Sequence, residues 1–461
     1  MEQQLVFNSQ LLNKYDVSGP RYTSYPTAPQ FNEAFDEQAY RNCIAETNGD
    51  FLARPLSIYI HIPFCSTVCF YCGCNKVVTK DRSKAAEYLQ HLHKEIEMQA
   101  EMFDGDRTVQ QIHLGGGTPT FISDLQLTDL MNQLHKHFPI AADDVGEYSI
   151  EIDPREARAE TIRLLRGIGF NRLSLGVQDL DKSVQLAVNR LQSERETFEI
   201  IDAARKYDFR SISLDLMYGL PNQSVDSFSH TLNRVIEAKP DRLSLFNYAH
   251  MPELFKPQRR INEADLPLPA IKMAILKQSI QQLEEAGYVY IGMDHFALPN
   301  DELSIAQREG KLQRNFQGYS THGDCHLVAM GVTAIGQTHN SFSQNHRNLD
   351  DYYAAIDAGH LPILRGMLLT EDDGIRGRVI QELICHFYLD FSLIDKRFDI
   401  NFSEYFAPEL VKLLPMDEDG LLRIESNSIQ VLPAGRLLIR NICMVFDVYI
   451  QKSQQQFSKV I

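Results

Sequence analysis

No run of apolar residues in this chain is long enough to span a bilayer, and the first ten residues, MEQQLVFNSQ, lack the basic flank and apolar stretch of a secretory signal. A cytoplasmic protein is therefore expected. Basic residues are also in short supply. The 45 Lys and Arg against 61 Asp and Glu leave a formal charge of −16, which argues against loose association with nucleic acid or an anionic membrane surface. An anionic substrate would need a locally basic pocket. No fixed-period repeat or low-complexity tract stands out. Cysteine is sparse except in one place: Cys43, Cys325, Cys385 and Cys443 are scattered, whereas Cys65, Cys69, Cys72 and Cys74 crowd together. In a reducing compartment such a group points to a metal or redox site and away from a disulfide framework.

What is present reads as an ordinary globular composition, and 461 residues predict a large domain with a smaller one. Short β-rich runs occur at SIYIHI (57–62), QIHL (111–114), EYSIEI (147–152), NRLSLGV (171–177), SISLDL (211–216), RLSLFN (242–247) and YVYIGM (288–293). Most alternate with helical stretches such as AAEYLQHLHKEIEMQAEMF and VDSFSHTLNRVIEA, a pattern that predicts βαβ units and a parallel sheet, open or closed into a full or partial barrel. In both architectures chemistry gathers beyond the C-terminal ends of the strands. The unusual residues here follow strands: the cysteines after SIYIHI, GGGTPT after QIHL, DPRE after SIEI and GLP after LDLMY. Residues 1–50, with the turn-rich GPRYTSYPTAPQF, read as an ordered arm. The alternation persists through 51–365 but fades near 300, where AMGVTAIG is one further short apolar element. From 366 to 461 the apolar spacing is helical.

The central motif is Cys65-x3-Cys69-x2-Cys72-x-Cys74, directly after a predicted strand. Three thiolates from one loop can wrap a compact iron–sulfur cluster, whereas structural zinc usually pairs such a loop with a distant ligand pair, and none is evident. A four-iron cluster on three thiolates leaves one iron open for a reactive ligand. Cys74 reads either as a fourth ligand or as an unligated residue near the reaction.

The cysteine loop after the first strand and GGGTP after the second resemble the radical S-adenosylmethionine (SAM) superfamily. Longer strings, among them YIHIPFC, CFYCGCNK, LGGGTPT, SIEIDPRE, NRLSLGVQD, DLMYGLP, NYAH, GMDHFA, RNFQGY and RLLIRNICM, are similar to the oxygen-independent coproporphyrinogen III oxidase family, from about residue 15 to the C-terminus. The resemblance implies an α/β fold: a partial (β/α) TIM-like barrel with an N-terminal arm and a mostly helical C-terminal domain. It implies a [4Fe-4S] cluster on Cys65, Cys69 and Cys72 with one open iron, Cys74 in a catalytic role, and two SAM molecules. Contacts to SAM fall on Tyr59, Tyr71, Gly116, Gly117, Thr118, Glu151, Gln178, Arg190, Asp215, Ala249 and Ile335. Among these, Glu151 suits the methionine ammonium, Asp215 the ribose hydroxyls, and the forked guanidinium of Arg190 a carboxylate.

The reaction implied converts two propionates of coproporphyrinogen III to vinyl groups through a 5′-deoxyadenosyl radical, with an electron donor of flavodoxin or ferredoxin type and an electron acceptor. A monomer without nucleic-acid or membrane partners is expected. Four substrate carboxylates call for cations, and Arg21 and Arg314 are the candidates, each with a surface salt bridge as the plainer alternative. Tyr22 and Tyr25 either cover the cavity or pack on the barrel. His61 and the Asp294-His295 pair either touch substrate or cluster or are structural. His322, Cys325 and His326 resemble a small metal site but depart from the family pattern, and no second metal is expected. The competing reading is a haem chaperone on the same scaffold, against which Cys72-Gly73-Cys74-Asn75-Lys76 and the RYTSYPT arm favour the oxidase.

Overall fold

The computed structural model describes residues 4–49, 54–142, 144–450 and 459, so the expected boundary between residues 50 and 51 lies outside the described residues. The chain forms two compact units. One comprises the described residues of Phe31–Leu268 and Asp324–Leu368, the other those of Met1–Gln30, Pro269–Gly323 and Leu369–Ile461.

In the first unit, β1 (Leu56–Ile62), β2 (Val109–Gly116), β3 (Glu147–Ile152), β4 (Arg172–Gln178), β5 (Ser211–Tyr218) and β6 (Arg242–Asn247) lie side by side in chain order and parallel. The crossovers are α1 (Ser83–Ala100), α2 (Asp124–His137), α3 (Ala159–Gly167), α4 and α5 (Lys182–Ala187 and Glu194–Lys206), and α6 (Val225–Glu237). Capping boxes at Ser123/Gln126 and Ser193/Glu196 start α2 and α5, satisfying backbone N–H groups that the first turn leaves open.

On the other side of β1 lies β7 (His326–Met330), also parallel, followed by the antiparallel β8 (Ile335–Thr338), β9 (Ser341–Asn345) and β10 (Ile363–Leu368). Where the sequence suggests one short element, the structure builds four strands. β7 and β9 are buried along their whole length, so neither shows an alternation to read. Polar SFSQN becomes interior through its neighbours rather than through its own composition.

The pleat prepares the site. Ser149 and Glu151 on β3, Ser174, Gly176 and Gln178 on β4, and Ser213 and Asp215 on β5 are half-buried on one face, while Ile150, Leu173, Leu175, Ile212 and Leu214 are fully buried on the other. Parallel strands usually run apolar on both faces. A polar face inside such a sheet marks a lined cavity.

The second unit is mostly helical, with Pro269–Glu285, Glu371–His386, Phe391–Phe398 and Ala407–Glu418 as its longer helices. It also holds a three-stranded antiparallel sheet of Tyr388–Asp390, Ser428–Val431 and Leu422–Ile424. The YVYIGM run forms Val289–Gly292, paired antiparallel with His295–Ala297. Arm residues are built into this unit. Arg440 Nε donates to the Pro20 carbonyl at 2.9 Å, buried Tyr22 donates to Asp447 at 3.0 Å, and the ring of Tyr25 meets that of Tyr449 at 6.0 Å. Both tyrosines therefore pack against the C-terminal segment.

Candidate active site

β1 leads straight into the cysteine loop, whose ends are pinned to each other. Phe64–Cys65 pairs with Val77–Val78, and the Val77 and Thr79 N–H groups donate to the carbonyls of Pro63 and Cys65 at 2.7 and 3.0 Å. Inside the loop, Phe70 and Tyr71 pack on the apolar group Val184, Val188, Leu220, Tyr248 and Ile261. With its ends tied and its middle anchored, the loop turns Cys65, Cys69, Cys72 and Cys74 onto a single cavity of about 300 Å³.

All four thiols are unbridged. Thr118 Oγ1 lies 3.6 Å from Cys65 Sγ, while Arg155 Nη2 and Arg190 Nη1 donate toward Cys69 Sγ at 3.6 and 3.5 Å. Enclosure pushes the Cys65 thiol up to about 11. Cys72 is pulled down to about 5, chiefly because the Cys74 thiol donates to it, with the Lys76 ammonium helping against the opposing effect of burial; Cys74 correspondingly holds its own proton well above the usual thiol range. Among the described residues no three His, Cys, Asp or Glu side chains converge closely enough to ligate one metal ion. The four thiols nevertheless line one cavity, and thiolates supplied from a single loop are a donor set that fits an iron–sulfur cluster.

Gly116 N–H donates to Glu151 Oε2 at 3.1 Å, and His113 Nε2 lies 3.5 Å from Oε1. Enclosure opposes ionisation of Glu151, but the His113 contact and the Gly116 N–H outweigh it and hold the carboxylate below its ordinary range. The next two N–H groups serve the cysteine loop: Gly117 donates to Ile62 and Thr118 to Phe64, both at 2.8 Å. Glycine is required here by close packing. Gly116 has φ +114°, and a Cβ there would sit 2.6 Å from the His61 ring, while one at Gly117 would sit 2.7 Å from the Phe64 carbonyl oxygen.

Asp215 bonds Ser174 at 3.3 Å and also Ser244, and burial pushes it up to about 6. Arg190 donates to Asp153 at 3.0 Å and to the Gly176 carbonyl at 2.6 Å. Asp153 also receives Arg155 at 2.6 Å, and the two guanidinium groups hold it ionised despite its burial. Three polar atoms in this region are buried without a hydrogen-bond partner among the described residues: Gln178 Oε1, Asn247 Oδ1 and Arg190 Nε. A mixed set of carboxylates, a guanidinium and unanswered amide oxygens suits a zwitterionic cofactor with an amine, a carboxylate and a ribose diol.

Tyr71, Gly116, Gly117, Thr118, Glu151, Gln178, Arg190 and Asp215 thus line the same cavity as the cysteines. Tyr59, Ala249 and Ile335 do not. Tyr59 bonds His61 Nδ1 at 3.0 Å and stacks on His113 at 5.8 Å, the Ala249 carbonyl accepts from Gln258 at 3.3 Å, and Ile335 opens β8 opposite Gln344. His61 contacts the Asn75 carbonyl through its other nitrogen at 3.2 Å, which makes it a structural brace between β1 and the loop. Arg21 takes its salt-bridge alternative, with Asp294; His295 meets the Tyr319 ring edge-on at 5.3 Å, and His326 is engaged by Arg107 at 3.1 Å.

Sequence reasoning flagged DPRE at the end of β3 without giving Asp153 or Arg155 a role, and it passed over His113. His113 is registered between Tyr59 and Ser149 across three strands, a row visible only once pairing is known.

The class defined by this sheet and its cysteine loop is also the one found by comparison. Residues 59–235 match the Radical SAM superfamily and residues 369–438 the HemN C-terminal domain. The oxygen-independent coproporphyrinogen III oxidase of Pseudomonas aeruginosa is 52% identical over 99% of each chain, and that of Escherichia coli K12 is 50% identical over 100% of this chain and 99% of its own. A solved structure of coproporphyrinogen III oxidase (HemN) from Escherichia coli, described as a radical SAM enzyme, has a TM-score of 0.92 at 48% identity, covering 97% of this chain and 100% of its own. The chain belongs to the oxygen-independent coproporphyrinogen III oxidase family. That membership disfavours the haem-chaperone alternative, and radical SAM enzymes imply a [4Fe-4S] cluster and SAM.

Proposed function

We propose that the protein carries out the oxygen-independent oxidative decarboxylation of two propionate side chains of coproporphyrinogen III to vinyl groups, giving protoporphyrinogen IX for haem synthesis. The observation that carries this reading is the common cavity at the strand ends, onto which the cysteine loop, Glu151, Arg190 and Asp215 all open.

Cys65, Cys69 and Cys72 would hold the cluster. When bound, cluster and SAM supply the one-electron chemistry and the carbon radical needed to take an unactivated propionate hydrogen. Glu151 accepts the methionine ammonium as a carboxylate, Arg190 grips a carboxylate with a charge already balanced by Asp153, and Asp215 accepts ribose hydroxyls. Tyr59, Ala249 and Ile335, outside this cavity, are read with the other residues as contacts of two SAM molecules, undivided between them. Cys74 opens on the same cavity as the three ligands and is read as a catalytic thiol beside the cluster rather than as a ligand. A flavodoxin- or ferredoxin-type electron donor, an electron acceptor, a monomeric state and a cytoplasmic location complete the reading.

The test is anaerobic: reconstituted protein, coproporphyrinogen III, SAM and a reductant, followed by porphyrin analysis. Monovinyl and divinyl products are expected. Their absence from protein with an intact cluster would overturn the reading. For Cys74→Ser the expected result is retained cluster with lost turnover; loss of the cluster would make Cys74 a ligand.

A further inference from the structure

The helical unit contains a buried arginine, Arg314, that no carboxylate among the described residues answers. Its hairpin Gln313–Asn315/Gly318–Ser320 pairs Arg314 with Tyr319. Gln381 clamps the Arg314 main chain from both sides, accepting from its N–H at 3.1 Å and donating to its carbonyl at 2.5 Å. The side chain is 5% exposed, and the guanidinium lies over the Tyr319 ring, 4.8 Å from its centre. Nε and Nη1 are buried without a hydrogen-bond partner among the described residues.

The neighbours offer no countercharge. Burial keeps the Tyr319 hydroxyl and the Cys385 thiol protonated, and Glu382 is committed to Arg378. Arg376, equally enclosed in the same unit, shows the ordinary arrangement: Asp372 at 2.8 Å and Glu409 at 3.0 Å. A buried guanidinium is always charged, and leaving it unpaired is strongly unfavourable. On the same hairpin the buried Nε2 of Gln317 also lacks an acceptor among the described residues. Unanswered donors on one short turn call for an acceptor-rich ligand, and the forked geometry of arginine suits a carboxylate.

We infer that Arg314 is a substrate-binding residue that takes one propionate carboxylate of the tetracarboxylate substrate. This rests on the function proposed above. It assigns to the helical unit a part in recognition of the substrate's acid groups, and it separates Arg314 from Arg21, whose charge Asp294 already answers.

The test uses full-length reconstituted protein under anaerobic conditions, with Arg314→Gln and Arg314→Lys. Without substrate, R314Q is expected to melt at or above the wild-type temperature, because an unanswered buried charge has been removed; a purely structural arginine would lower it. With substrate, KM for coproporphyrinogen III should rise at least tenfold in R314Q while KM for SAM stays within twofold, and R314K should recover part of the loss. Fluorescence titration with stable coproporphyrin III and its tetramethyl ester supplies a readout independent of turnover: wild type should prefer the free acid, and R314Q should lose that preference. Unchanged KM and binding, an effect confined to SAM, or a lowered melting temperature with unchanged binding would each overturn the inference. A wild type that binds the free acid through Arg314 but yields no vinyl product would overturn the function and leave the carboxylate subsite standing.

Discussion

Arg190 of the barrel unit and Arg314 of the helical unit are buried under opposite conditions. In the barrel, Arg190 and Arg155 converge on Asp153 and on the Cys69 sulfur, so each guanidinium beside the cysteine loop has a carboxylate partner before any ligand arrives. In the helical unit, Arg314 is as deeply enclosed and has no such partner. Internal pairing fixes side chains where reacting groups must be held in place. An unpaired charge instead costs stability in the empty protein and returns it when an anion binds, which serves recognition.

The largest effect expected is at the thiols. Serine at Cys65, Cys69 or Cys72 should abolish turnover together with bound iron, measured by iron assay and visible absorbance. Next comes Arg190→Met, which leaves buried Asp153 with Arg155 alone and should lower unfolding free energy by about 2–3 kcal/mol in urea melts. R314Q should move the other way, and if both variants lose stability the contrast between the units collapses.

Glu95 sharpens the same comparison from the acid side. It is fully buried in the barrel unit and accepts from Tyr352, Asn345 and the Gly331 N–H at 2.6, 2.7 and 2.8 Å, yet burial still pushes it up to about 7. A carboxyl raised in the folded state holds its proton where the unfolded chain has lost it. Its contribution is therefore complete below the ordinary value of 4.5 and falls by about 3 kcal/mol as pH rises to 7. Glu95→Gln should flatten that slope in pH-dependent melts. A slope unchanged in the variant would place the titration elsewhere.

At Glu151, substitution by Gln should weaken SAM binding by about 2 kcal/mol, roughly thirtyfold, read by calorimetry on anaerobic protein. The smallest effect is at Asp215. Pushed up to about 6, it loses its acceptor charge as pH falls, so SAM affinity should halve near pH 6 and decline below it. Asp215→Asn should remove that pH dependence, and a variant that keeps it would exclude Asp215 as its source.

Much of the barrel was legible because its signals are local. The strand runs of β1 to β6, the helices between them and the cysteine loop each depend on residues close in the chain, where pleat and turn chemistry act directly. Of β7 to β10 only one short element was legible: β7 and β9 are wholly buried and have no polar face, and polar SFSQN is interior only because neighbouring strands enclose it.

The sequence by itself determined the Cys65-x3-Cys69-x2-Cys72 loop, the glycine run and the strand-end acids, because each belongs to a strand and the turn that follows it. It also offered Arg21 and Arg314 as candidate cations without distinguishing their surroundings. Only the tertiary structure distinguished those: Asp294 pairs with Arg21, and no carboxylate among the described residues reaches Arg314. The physical reason is that countercharge is a property of distance in space, and these partners are brought near, or kept apart, by packing that spans most of the chain.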